Sequence, residues 1–181
     1  NMLLVAMGRT LLLAFLGVAF ACILGMCYGL LSVVNNNVCN IIAQVFVFVL
    51  RGVPMIVLAF FIYFGIPYLI NTIMGVGGGF TLSALQAGTA CLALNCGAYM
   101  AEIIRAGIQS VDIGQMEAGR SLGLPYWKTM RKIILPQAIR TMIPSIINQF
   151  IITVKDTSIL SVIGFPELVL AAKQVQANTF K

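Results

Sequence analysis

The 181-residue chain is 60 % hydrophobic and 9 % charged, lacks histidine and has a mean hydropathy of +1.01. Soluble domains run nearer a quarter charged, so this composition excludes a water-soluble globular domain and points to an all-α integral membrane protein. The net charge of +6 is concentrated in one stretch, which reads as a positive-inside signature and excludes a nucleic-acid-binding surface as the source of the charge.

Thr10 to Val34 carries no charge, and its 25 residues exceed the ~20 needed to cross ~30 Å of hydrocarbon. The chain opens at Asn1 without a basic segment and cleavage site, so this run is expected to be a retained helix and the sequence to be a fragment. Asn35, Asn36 and Asn37 form a polar break. The next apolar run, 38–70, is too long for one straight crossing, and Arg51, Gly52 and Pro54 predict a kink or break within it. Asn71 to Phe80 reads as a turn outside the bilayer, followed by a third span over 81–104. A fourth span is expected over 139–163, after which Gly164 and Pro166 start a polar end. The whole of 1–181 reads as one transmembrane domain without internal repeats. Cys22, Cys27, Cys91 and Cys96 lie in apolar runs and read as small hydrophobic residues, with no metal-ligand spacing.

The segment from Arg105 to Arg140 holds six Lys/Arg against Asp112 and Glu117, which places the long loop over 105–138 in the cytoplasm and, counting spans backwards, puts the N-terminus outside. Gln115 to Leu122 reads as a short helix stopped by Gly123. Pro125 then opens a second helix with a basic face of Lys128, Arg131 and Lys132, expected to end at Pro136 before the membrane begins at Ile139. A helix, glycine turn and helix is the shape of a docking element. From spacing alone, an interfacial helix pair binding anionic membrane lipid explains Trp127 and the lysines equally well.

Glu117-Ala118-Gly119, three residues, Gly123, nine residues and then Ile133-Ile134-Leu135-Pro136 resembles the EAA loop of ABC importer permeases, with Gly119 where the pattern has alanine. Arg51-Gly52-Val53-Pro54 is similar to that family's RGTP element. Ala98 to Ile108 is similar to AYxAExxRxGI, and Lys155-Asp156-Thr157-Ser158 to KDTSL; these mark the polar amino-acid branch. The resemblance implies a type I importer permease core of the bacterial inner membrane, four spans being visible here and a fifth, C-terminal one being absent. It implies that Glu117, Ala118, Gly119, Gly123 and Leu124 form the coupling element for ABC ATPase subunits. It further implies a second permease chain, identical or related, and an extracytoplasmic amino-acid binding protein. ATP and Mg would be used by the ATPase, with no cofactor in this chain.

Lys155 and Asp156 lie in an otherwise apolar run, where each is costly, and as sequence neighbours they point about 100° apart and cannot neutralise each other. One reading gives them the carboxylate and ammonium of an amino acid, with Asn95 adding amide hydrogen bonds. The other makes them inter-helix ties. Glu102 and Arg105, three apart on one helix face, read as a pair at the cytoplasmic rim, and with Arg51 as gate or structural residues. There is no G-x-x-x-x-G-K-[ST], Gly77-Gly78-Gly79 has no following lysine, and no nucleophile–base arrangement is present, so the chain reads as non-catalytic. A secondary transporter or a non-transporting membrane scaffold stands as the alternative; the first would carry inverted repeats.

Overall fold

The computed structural model describes residues 2–75 and 79–179, and these contain helices and no strand. The expected turn over 71–80 and the Gly77-Gly78-Gly79 run fall partly outside the described residues. The first helix, α1, covers Met2–Leu31, starting well ahead of the expected Thr10. Arg9 is exposed on its surface, and one outward cation does not interrupt helical hydrogen bonding. Asn36 supplies the next start: its side chain accepts from Val38 N and Cys39 N and caps α2, Asn37–Gly52.

The long second run breaks at Val53–Pro54. Val53 is extended (φ −89°, ψ 126°), as a residue before proline prefers, and Pro54 then accepts at its carbonyl from Val57 and Leu58. Beyond it, α3 (Met55–Phe60), a π-helical turn (Phe61–Gly65) and α4 (Ile66–Met74) form one rod of 20 residues. Helix thus persists past Asn71, whose side chain instead closes the following loop by bonding both Phe80 N and Phe80 O at 2.9 and 3.0 Å.

The central helix is α5, Ala84–Gln109, opened by a reciprocal cap between Ser83 and Gln86. It lies parallel to α1, and glycines set the close approach. A Cβ at Gly17, Gly25 or Gly29 would fall 2.6, 2.4 or 2.8 Å from Cβ of Leu92, Met100 or Ile104. Because α5 continues to Gln109, Arg105 belongs to the spanning helix and not to the loop expected to start there.

Asp112 caps α6, Ile113–Ser121, by accepting from Gly114 N at 2.7 Å. Gly123 turns the chain at φ +80°, where Leu124 N reaches Gly119 O, and Pro125 starts α7, Tyr126–Thr129. Pro136 does not end this helix. A π-helical turn over Met130–Ile134 intervenes, with Leu135 N bonding Met130 O, and Pro136 sits in the first turn of α8, Leu135–Asp156, where a missing N–H costs little. Helix is therefore continuous from Tyr126 into the fourth span, which tightens to a 3₁₀ segment at Thr157–Ile163.

The expected polar end is instead a helix, α9, Leu168–Thr179. Its first N–H groups are satisfied by Thr10 Oγ1 (from Leu168 N, 3.0 Å) and by both carboxylate oxygens of the buried Glu167 (from Val169 N and Leu170 N, 2.7 Å each). Three apolar clusters among the described residues hold the bundle: Leu13, Ile62, Leu92 and Leu160 at one end, Ala21, Cys96 and Met100 between α1 and α5, and Ile104, Ile134, Ala138 and Met142 at the other end. The five cysteines are free thiols.

Candidate functional site

Residues on one side of α5 carry a ladder of polar groups: Asn95, Tyr99, Glu102 and Arg105. Steps of four, three and three keep them on one face, and at 1.5 Å per residue the ladder is ~15 Å long. The end of α2 brings Arg51 over this face, with its guanidinium carbon 4.9 Å from the centroid of the Tyr99 ring. The break at Pro54 positions it, because α2 ends there instead of carrying Arg51 onward as mid-span.

Two adjoining cavities open along the ladder. One, of about 470 Å³, is lined by Pro54, Asn95, Gln149 and Asp156 among others; the other, of about 760 Å³, by Tyr28, Ser32, Gln44, Glu102 and Arg105 among others. Arg51, Gly52 and Tyr99 line both, so the stacked pair stands at their junction. In the second cavity Arg105 Nε donates to Glu102 Oε2 at 3.1 Å, a second donation runs from Nη2 to Oε1, and Nη1 donates to Gln109 Oε1 at 2.8 Å. This bidentate fork is the single ion pair among the described residues.

Of the residues singled out for substrate, Asn95 and Asp156 line the same cavity. Lys155 is exposed and does not line it, as a step of ~100° around α8 dictates. The cation that does line it is Arg51. Sequence reasoning passed over Tyr99, Gln44 and Gln149. The signal for Gln149 was present, since Gln149, Thr153 and Asp156 are spaced by four and three in an apolar run and so share a face.

At the other end of the molecule, α6 projects as a knob. Glu117 and Ala118 are exposed, whereas Gly119 is packed against α7, where a Cβ would fall 2.5 Å from Thr129 Cγ2. Glycine at this place, where the EAA pattern has alanine, therefore has a local cause. Nothing lies within 4 Å of a Cβ built on Gly123, so that residue is selected for its positive φ and not for lack of room. Leu124 is half-buried. The apolar tips are Ile113 and Leu122, 74 % and 82 % exposed, and Leu122 was not singled out from the sequence.

Residues 17–180 match the family described as the binding-protein-dependent transport system inner membrane component. The chain belongs to this family. The permease is 37 % identical over 172 residues to the glutamine transport system permease protein GlnP of Escherichia coli (strain K12), covering 95 % of this chain and 75 % of that protein. It is 38 % identical over 173 residues to a probable amino-acid ABC transporter permease protein, YckA, of Bacillus subtilis (strain 168), covering 96 % and 73 %. Its structure superposes on a crystal structure of an amino acid ABC transporter with histidines, with a TM-score of 0.88 at 37 % identity, covering 99 % of this chain and 80 % of that one. An inward-facing structure of the MetNI methionine ABC transporter shares the fold, with a TM-score of 0.79 at 20 % identity over 99 % and 82 % of the two chains. The permease is thus an all-helical, multi-pass inner-membrane protein with the type I importer fold.

Proposed function

We propose that the permease lines one half of a translocation path for polar amino acids and is driven by separate ABC ATPase subunits that grip α6. The observation that carries the path is the ladder on α5: a run of amide, phenol, carboxylate and guanidinium groups open on one side of a chain whose remaining surface is mostly apolar. Such a face is costly against hydrocarbon, so it is closed by a second permease chain, identical or related. The relatives named for glutamine and amino-acid transport support this substrate class.

In the cavity beside Pro54, Asp156 offers a carboxylate to the substrate ammonium, and Asn95 and Gln149 offer amides to either end. Arg51 takes the carboxylate role that Lys155 was expected to fill, because it faces the same space. Recognition of the zwitterionic backbone by these groups leaves the side chain to the remaining wall. Arg51 stacked on Tyr99 separates this cavity from the one holding Glu102 and Arg105, which suits a gate that opens when α2 and α5 shift relative to each other.

ATP, with Mg, is bound and hydrolysed by the partner subunits. Leu122 and Ile113 enter an apolar cleft there, and Glu117 supplies a charged contact. Closure of the two ATPases moves the knobs together, and the rigid joint of Gly119 on Thr129 passes that motion to α7 and α8. The coupling loop lies in the cytoplasm, which places the N-terminus outside. The test is reconstitution of the full-length protein with its ATPase and binding protein. Leu122→Asp, exposed in the isolated chain, leaves the permease folded, lowers ATPase affinity at least tenfold and stops ATP-dependent uptake. Unchanged affinity and uptake reject the docking role of α6.

A further inference from the structure

The continuous helix from Tyr126 through α8 has a second exposed face, distinct from both the knob and the path. Its buried side is Thr129, Ile134, Ala138 and Met142, turned toward α6 and α5. The opposite side begins with Trp127, 75 % exposed, and the exposed Lys128, Arg131 and Lys132, and continues along the same helix as the exposed Ile139, Arg140, Ile143 and Ile147. None of these cations has a carboxylate within 4 Å among the described residues, where the single ion pair is Glu102–Arg105. Ile147 lies two residues, ~200° of helix rotation, from the cavity-lining Gln149, so this stripe faces away from that cavity.

We infer that Trp127, Lys128, Arg131 and Lys132 bind the headgroups of anionic phospholipids of the inner leaflet and thereby fix the depth of α6. The charge gives the sign of the partner. The isoleucine stripe gives its class, because a face that runs from cations, the last of them Arg140, to Ile143 and Ile147 matches a leaflet passing from phosphate to acyl chain, and an indole sits at that boundary. Each cation beside an anionic leaflet favours the charged lipid by roughly fivefold. Thr129, on the reverse of this anchor, packs on Gly119, so lipid bound on one side of α7 holds the knob that hangs from the other. This inference rests on the membrane-spanning reading and is independent of the substrate assignment.

Trp127 is the one tryptophan of the chain and is a built-in reporter. In nanodiscs containing the full chain, brominated phosphatidylglycerol is expected to quench its fluorescence at least about threefold more than brominated phosphatidylcholine at equal mole fraction. The triple variant Lys128→Gln, Arg131→Gln, Lys132→Gln is expected to bring the two lipids to parity, as is half-molar salt in the wild type. Equal quenching in the wild type, or a preference that survives both the substitutions and the salt, overturns the inference. So does absence of quenching by either lipid together with shielding of Trp127 when the ATPase is added, which assigns the face to the ATPase.

Discussion

Replacing Gly119 by alanine restores the residue of the EAA pattern, yet the structure predicts a loss. The new Cβ would lie 2.5 Å from Thr129 Cγ2, 3.0 Å from Thr129 Oγ1 and 3.3 Å from Ile133 Cδ1, where ordinary contacts are 3.5–4 Å. Thr129 is completely buried and cannot swing away, so α7 must be displaced by about 1 Å. Overpacking of this kind costs ~1–3 kcal/mol, against a helix-propensity gain of up to ~1 kcal/mol for Gly→Ala. The net effect is a loss of ~0–2 kcal/mol, expressed as weaker attachment of α6. Thr129→Ser removes the offending methyl and keeps the hydroxyl, so in the double variant the alanine is accommodated. A double-mutant cycle on ATPase affinity, measured by titration of the purified permease in detergent, is expected to show a coupling of ~1–2 kcal/mol between the two positions. Additive effects of the two substitutions would refute the packing reasoning.

Gly25→Ala places a Cβ 2.4 Å from Met100 Cβ and 3.2 Å from its carbonyl carbon, so α1 and α5 must separate; a sharp fall in monodisperse yield and melting midpoint is expected, whereas Gly52→Ala, with nothing within 4 Å, is expected to change neither. Arg51→Lys keeps the charge but loses the planar stack on Tyr99; uptake is expected to fall severalfold while folded yield is unchanged, and wild-type uptake would remove the stacked pair from the path. Glu102→Gln breaks a fork whose members are about a third exposed, so the expected change in stability is below ~1 kcal/mol, and any large effect should be seen in uptake instead.

Much of the architecture was legible because it is written in local chemistry. Pro54 cannot continue α2, Gly123 can take a positive φ and Asn36 can cap a helix, and each punctuates the chain where its residue type demands. Pro136 misled because a proline is read as a stop, and only the π-helical turn before it, an adjustment of hydrogen-bond register, lets the helix run through. Helix α9 was hidden because its start depends partly on Thr10, 158 residues away, and partly on a local cap by Glu167, a residue type outside the usual N-cap set of Ser, Thr, Asp and Asn. The charges of the fourth span illustrate the same limit. Helical rotation separates Lys155 from Asp156, as the sequence implies, but that Arg51 meets Asp156 across a cavity depends on how α2 lies against α5 and α8.

The most direct test of the path is ATP-dependent uptake of radiolabelled polar amino acids by proteoliposomes containing the full-length permease, its ATPase and its binding protein. Asp156→Asn is expected to reduce uptake of every transported amino acid at least tenfold with ATPase binding intact, while Lys155→Met retains most of it. Undiminished uptake with Asp156→Asn, or loss with Lys155→Met alone, would contradict a path running along Asn95, Arg51 and Asp156.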